Sequence, residues 1–233
     1  MTTDDAAHAI AARARKLASF AYVVTPNVDH VVRLELRPDL HPLYEHAWLT
    51  LNDSRILELF AGFTRMKLPA APGSDIVEAL FARRIRASEL VTVIGGSPET
   101  IRALRQRYSL SNIRWFDAPH GLKDNASARV ACVDFIVANP SPFVFLAVGS
   151  PQQEMIAAEC AARGTATGVA LCCGASLEFL SGEAARAPRW MRMARLESLH
   201  RLGSDPMRLW RRYLVDGPRI LLIWMKWRAA AKA

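Results

Sequence analysis

The sequence predicts an α/β fold: a mostly parallel sheet with helices on both faces, followed by a basic helical C-terminal appendage. Three observations predict it. Short apolar runs alternate with helix-period segments as far as residue 182, the order of parallel strands joined by crossover helices. The segment FVFLAVGSPQQE at 143–154 reads as a buried strand entering a Gly149-Ser150-Pro151 turn and then a helix. Beyond residue 182 the strands stop, and Arg and Trp become frequent.

In chain order the apolar runs place strands at 20–25, 48–51, 91–94, 113–116, 143–148 and 168–172. Helical spacing falls at 6–18, 28–36, 55–63, 75–86, 98–108, 127–137 and 151–163. Three short helices are expected in the tail, at 196–202, 206–215 and 218–228, where Pro206 and Pro218 open the second and third. The division expected is a catalytic body at 1–195 and an appendage at 196–233. No internal repeat or low-complexity linker interrupts the body.

A chain of 233 residues, 51% of them hydrophobic, can bury a large core and is globular rather than disordered. The opening MTTDDAAHAIAARARK has no apolar signal-peptide core, and no run approaches the length of a membrane span. Cys132, Cys160, Cys172 and Cys173 lack CxxC spacing and read as reduced core thiols of a cytosolic protein. The net charge of +8 is uneven: residues 183–233 hold twelve Lys or Arg against four Asp or Glu, so the rest is neutral. A neutral body with a basic tail suits an anionic partner: nucleic acid, anionic lipid or a diphosphate.

Five strand ends carry polar or glycine-rich turns: Thr25-Pro26-Asn27, Asn52-Asp53-Ser54, Gly95-Gly96-Ser97, Gly149 to Gln153, and Gly174-Ala175-Ser176. Each alone has a plain reading. A GGSP turn is a common strand-to-helix connection, and an Asp before a helix is commonly its N-cap. Gathered on the carboxyl edge of one sheet, the five would line a crevice with N–H groups, hydroxyls, amides and a carboxylate. In the 149–154 turn, Gln152, Gln153 and Glu154 lie at the positive end of a helix dipole, where amides and a carboxylate can bind a ribose, a base or a sugar. No His or Cys pairing points to a nucleophilic triad or a zinc site.

Several segments resemble the WecG/TagA/CpsF glycosyltransferases. They are VVTPNVDHVV, the Asp53 turn, GSD at 73–75, VIGGSP at 93–98, RWFDAPHGL at 114–122, FLAVGSPQQE at 145–154, GASLEFLSGEAARAPRWM at 174–191 and LESLHRLGSDPMRLWRRYLV at 196–215. The resemblance spans about residues 20–220 and keeps the order of the pieces. It implies a Rossmann-like body and an inverting, metal-independent enzyme without a cofactor. Such an enzyme moves a sugar from a UDP-sugar to a polyprenyl-diphosphate-linked saccharide, at the cytoplasmic face of the bacterial membrane. It matches Asp53 to the catalytic base, with Thr25 and Asn27 beside it. It matches Gly95, Gly96, Ser97, Gly149, Ser150, Gln152, Gln153, Glu154 and Glu178 to the nucleotide-sugar site, and Arg201, Arg208 and Arg211 to the acceptor diphosphate. Three departures stand out: Asp53-Ser54 in place of Asp-Gly, Glu178 in place of Asp, and Leu196-Glu197-Ser198 in place of LEW.

The residue types suit this chemistry. Inversion needs a base within reach of the acceptor hydroxyl, and Asp53 is the carboxylate expected to act there. Departing UDP needs positive charge, which arginines and helix N-termini supply where no Asp-x-Asp motif is present. The tail run Ile220 to Met225, followed by Lys226-Trp227-Arg228, has the composition of an interfacial helix, and also of a docked terminal helix or a dimer contact. Two rival classes remain at this stage. One is a catalytically silent scaffold of a membrane synthesis complex. The other is a nucleic-acid binder using the basic tail and its tryptophans, Trp190, Trp210, Trp224 and Trp227.

Overall fold

The computed structural model describes residues 1–16, 18–184 and 217–230, together with Met191, Gly203 and Met207. The chain divides into two compact units. The first comprises 1–25, 42–51 and 71–184; the second comprises 26–41, 52–70 and 185–233.

The first unit is built on one six-stranded sheet in which every named pairing is parallel. Its strands are β1 (Ala21–Val24), β2 (Leu49–Thr50), β3 (Val91–Gly95), β4 (Ile113–Phe116), β5 (Phe143–Ala147) and β6 (Val169–Cys172), in the order β2-β1-β6-β5-β3-β4. Each coincides with an apolar run expected from the sequence. Central strands are buried on both sides, so they read as continuous hydrophobics rather than alternating ones. The pleat nonetheless sorts them. Val23, Val93, Phe145 and Leu171 pack into one core layer. Tyr22, Ile94, Leu146 and Cys172 pack into the other.

The first layer is covered by α1 (Thr3–Ala14), α5 (Gly73–Arg83), α6 (Pro98–Tyr108) and α9 (Ser176–Ser181). The second is covered by α7 (Ala126–Ala138) and α8 (Gln152–Arg163), with the short α3 (Pro42–Glu45) before β2. Helix α1 starts three residues before the expected position. Thr2 forms a capping box with Asp5: its hydroxyl accepts the Asp5 N–H at 3.2 Å, and the Asp5 carboxylate accepts the Thr2 N–H at 3.0 Å. Helix α9 was not expected; six residues between a glycine turn and Gly182 are too few to show a period.

All four cysteines are free and buried. Burial pushes the Cys132 thiol up to about 11 and Cys160 up to about 12. Cys173 also rises to about 12, from burial and then the nearby Glu178, and Cys172 rises through burial, Glu154 and Cys173.

The second unit holds α2 (Val28–Leu36), a 3-10 turn at Pro38–Leu40, α4 (Arg55–Gly62) and a C-terminal helix, Arg219–Ala230. Trp224 on the C-terminal helix stacks on Phe60 of α4 at 5.3 Å between ring centroids, and its indole N–H donates to the Phe60 carbonyl at 3.1 Å. Among the described residues no helix is long and apolar enough to cross a membrane. Apart from Met207, the expected helices at 196–202 and 206–215, with Trp190 and Trp210, lie outside the described residues.

Candidate functional site

Sheet order decides where a ligand crevice opens. β3 connects outward to the edge strand β4, whereas β5 connects in the opposite direction, to β6. Their exit helices therefore leave to opposite faces: α6 packs in one core layer and α8 in the other. β3 and β5 are paired neighbours, with Gly95 opposite Ala147. The topological switch point thus lies at their carboxyl ends, where open α/β sheets bind ligands. Of the five turns the sequence singled out, Gly95-Gly96-Ser97 and Gly149 to Gln153 are the two that flank it.

The glycines make this close approach geometrically feasible. Gly95 has φ +82°, and a Cβ there would sit 2.6 Å from Val148 Cγ1 and 2.9 Å from the Ala147 carbonyl oxygen. Gly149 also has positive φ, +76°, but a Cβ there would meet only open space. What favours glycine there is the positive φ itself. Pro151 takes the N-cap position, so α8 begins one residue later than expected, at Gln152.

The polar residues of these turns divide into two groups. Ser97 caps α6, its hydroxyl accepting the Thr100 N–H at 2.9 Å, and also donates to the Glu183 carboxylate at 2.6 Å. The Thr100 hydroxyl donates to the other Glu183 oxygen. These bonds hold the Glu183 carboxyl below its ordinary value. The N-terminus of α6 therefore already receives an anionic group, as its dipole favours. Around α8, Gln152 is half-buried at the turn, while Gln153 and Glu154 point inward and are 5% and 1% exposed. Gln153 accepts the Gly174 N–H at 2.8 Å and donates to Glu154 Oε1 at 2.8 Å. It therefore braces the turn after β6 against the turn after β5. Glu178 is half-buried on α9. Burial, with smaller effects from Cys172 and Glu154, pushes the Tyr22 phenol up to about 12.

At the end of β1, Thr25 lies against the start of α5. A Cβ on Gly73 would meet Thr25 Oγ1 at 2.6 Å, so glycine at the first helical position is what lets the hydroxyl fit.

In the second unit, Asn27 caps α2: its side-chain oxygen accepts the Asp29 N–H at 3.1 Å and sits 2.8 Å from His30 Nδ1. Asp53 is not the cap of α4. Ser54 is, accepting the Leu57 N–H at 3.3 Å. Asn52 frames the turn, accepting the Ser54 N–H at 2.9 Å and donating to the carbonyls of Ser54 and Leu68 at 3.0 and 3.2 Å. The Asp53 N–H donates to the Pro26 carbonyl at 2.9 Å, which brings the Asp53 and Asn27 turns together. Asp53 is half-buried in this turn, and the capping of α4 falls to Ser54.

Arg201, Arg208 and Arg211 lie outside the described residues. The sequence reading named Asn52 only as part of its turn and passed over Thr100 and Glu183. Asn52 carries an Asx-turn signal, but Glu183 is 86 positions from Ser97 and carries none. A groove lined by Arg102, Arg105, Arg114 and Trp115, from α6 and β4, also escaped notice because no short motif joins those residues.

A family model described as the glycosyl transferase WecG/TagA/CpsF family matches residues 1–233, the whole chain. Full-length coverage, together with the α/β sheet whose switch-point turns are the ones the motifs marked, establishes that the chain belongs to the WecG/TagA/CpsF family of glycosyltransferases.

Proposed function

We propose that the chain transfers a sugar from a UDP-sugar to a polyprenyl-diphosphate-linked saccharide, with inversion and without a metal or other cofactor, at the cytoplasmic face of the bacterial membrane. The observation that carries the donor assignment is the pairing of β3 with β5. It sets two positive-φ glycine turns and the N-terminus of α8 side by side at a switch point, an arrangement suited to a nucleoside diphosphate.

In this reading, Gly95, Gly96, Ser97, Gly149, Ser150 and Gln152 receive the nucleotide-sugar. Gln153 and Glu154 shape that site from beneath, and Glu178 borders it from α9. Asp53 takes the proton of the acceptor hydroxyl as the new glycosidic bond forms and the bond to UDP breaks. Thr25 and Asn27 orient the reacting groups. Arg201, Arg208 and Arg211 hold the acceptor diphosphate, and the charge growing on UDP is offset by helix dipoles and guanidinium groups.

The test is turnover with a panel of UDP-sugars and a short-chain polyprenyl-diphosphate saccharide in EDTA. Transfer from one donor is expected, with the anomeric configuration inverted. Product that forms only after a divalent cation is restored would overturn metal independence. No product from any UDP-sugar, with no UDP effect on the melting temperature, would overturn the donor assignment.

A further inference from the structure

The glycine turn after β3 holds an anion of the protein's own. Helix α6 opens at Ser97-Pro98, and Pro98 brings no N–H to its first turn. Ser97 Oγ accepts the Thr100 N–H at 2.9 Å. The side-chain donors of that turn are the hydroxyls of Ser97 and Thr100. Both are spent on Glu183, Ser97 on one carboxylate oxygen and Thr100 on the other. A hydroxyl has a single proton to give, so neither side chain can donate to a second anion while Glu183 is seated.

The end of α9 aims Glu183 at this turn, 86 positions away from Ser97. Gly182, at φ +85°, closes the helix. The Gly182 and Ala184 N–H groups both donate to the Glu178 carbonyl, at 3.1 and 3.2 Å. Arg107 of α6 donates to the Leu180 carbonyl at 2.8 Å, which ties the two helices together independently of Glu183. The Glu183 side chain is exposed, and among the described residues no cation pairs with it. Its carboxylate can therefore leave the hydroxyls for water by side-chain rotation, with the backbone bonds of 180–184 intact. The same hydroxyl bonds keep it ionised at neutral pH.

We propose that Glu183 is an internal competitor of the donor's diphosphate, seated on Ser97 and Thr100 until a nucleoside diphosphate displaces it. The proposal rests on the donor site of the function above and adds the residue that sets its affinity. A diphosphate reaching the turn must break two charge-assisted hydrogen bonds and move a like charge aside. Donor and UDP are both held more weakly as a result, and UDP is the product that has to leave. A carboxylate that only tied α9 to α6 would contribute to stability and leave UDP affinity untouched.

The test is calorimetric titration of the full chain with UDP and, separately, with inorganic diphosphate. Glu183→Gln keeps the side-chain length and removes the charge. It is expected to bind UDP at least about fivefold tighter than the wild type, because the competent state no longer has to be freed first. Glu183→Ala, which leaves both hydroxyls unengaged, should bind at least as tightly as Glu183→Gln. Glu99→Gln removes an exposed acid from the same turn but not the competitor, and should change UDP affinity by less than about twofold. Melting temperature is the folding control, and if Glu183→Ala does not fold, Glu183→Gln is read alone. The proposal is overturned if the Glu183 variants bind UDP no more tightly than the wild type. It is also overturned if Glu99→Gln tightens binding as much as they do, which would reduce the effect to net charge. If UDP binds to none of these proteins, the donor assignment falls, and inorganic diphosphate decides the competitor separately. Tighter binding of it to Glu183→Gln than to the wild type supports the competitor, and equal binding or none overturns it.

Discussion

Asp53 is bracketed by residues that do the structural work an aspartate before a helix ordinarily does. Ser54 caps α4, and Asn52 ties the turn to Leu68. Asp53→Asn should therefore leave the turn and UDP affinity intact while lowering turnover by about 10²–10⁴-fold; steady-state turnover alongside UDP calorimetry checks this, and near-normal turnover would remove Asp53 as the base. Gln152 and Gln153 differ in the opposite sense. Gln153→Ala deletes the brace between two turns at a buried position and should cost about 1–3 kcal/mol in a denaturant melt. Gln152→Ala should leave the melt nearly unchanged and raise the donor KM. In sequence the three polar residues 152–154 look alike. Polar character predicts solvent, so the burial of Gln153 and Glu154 was not legible.

At the scale of elements, legibility followed the strength of local signals. Strands β3 and β4 and helices α2 and α6 fall where apolar periodicity, Asn27 and the Ser97-Pro98 start put them. Two starts moved outward because a side chain before the periodic run sets the cap, Thr2 for α1 and Asn125, accepting the Ala128 N–H at 3.0 Å, for α7; α5, expected at 75–86, runs Gly73–Arg83 with no side-chain cap. Glycine turns were legible as turns but not as close contacts. Gly95 is the case that matters for the site, because its Cβ would press on Ala147 and Val148 of the paired strand. Gly95→Ala adds that clash to a positive-φ penalty, and should destabilise the first unit by about 2–4 kcal/mol and weaken UDP binding. Equal stability by denaturant melt would mean that β3 and β5 are less tightly apposed than described.

At the scale of the molecule, the fold class was legible because strand and helix periods alternate through the body. The crevice position was not, since it depends on the order β2-β1-β6-β5-β3-β4 rather than on any motif. The turns that reached it were nonetheless in hand, because each is a strand end. The grouping of 26–41 and 52–70 with 185–233 was invisible as well: the contact of Trp224 with Phe60 spans 164 positions. That grouping does not redistribute the charge: 185–233 alone carries 12 Lys and Arg against 3 Asp and Glu, while 26–41 and 52–70 together are neutral.

In the proposed function the donor nucleotide binds where β3 and β5 end. Amide hydrogen exchange of the full chain with and without UDP tests it most directly. Slowed exchange is expected in two separated segments, 95–100 and 149–154, with β4 and the amino ends of the strands unchanged. Protection confined to other segments, or UDP binding with no change at either turn, would contradict it.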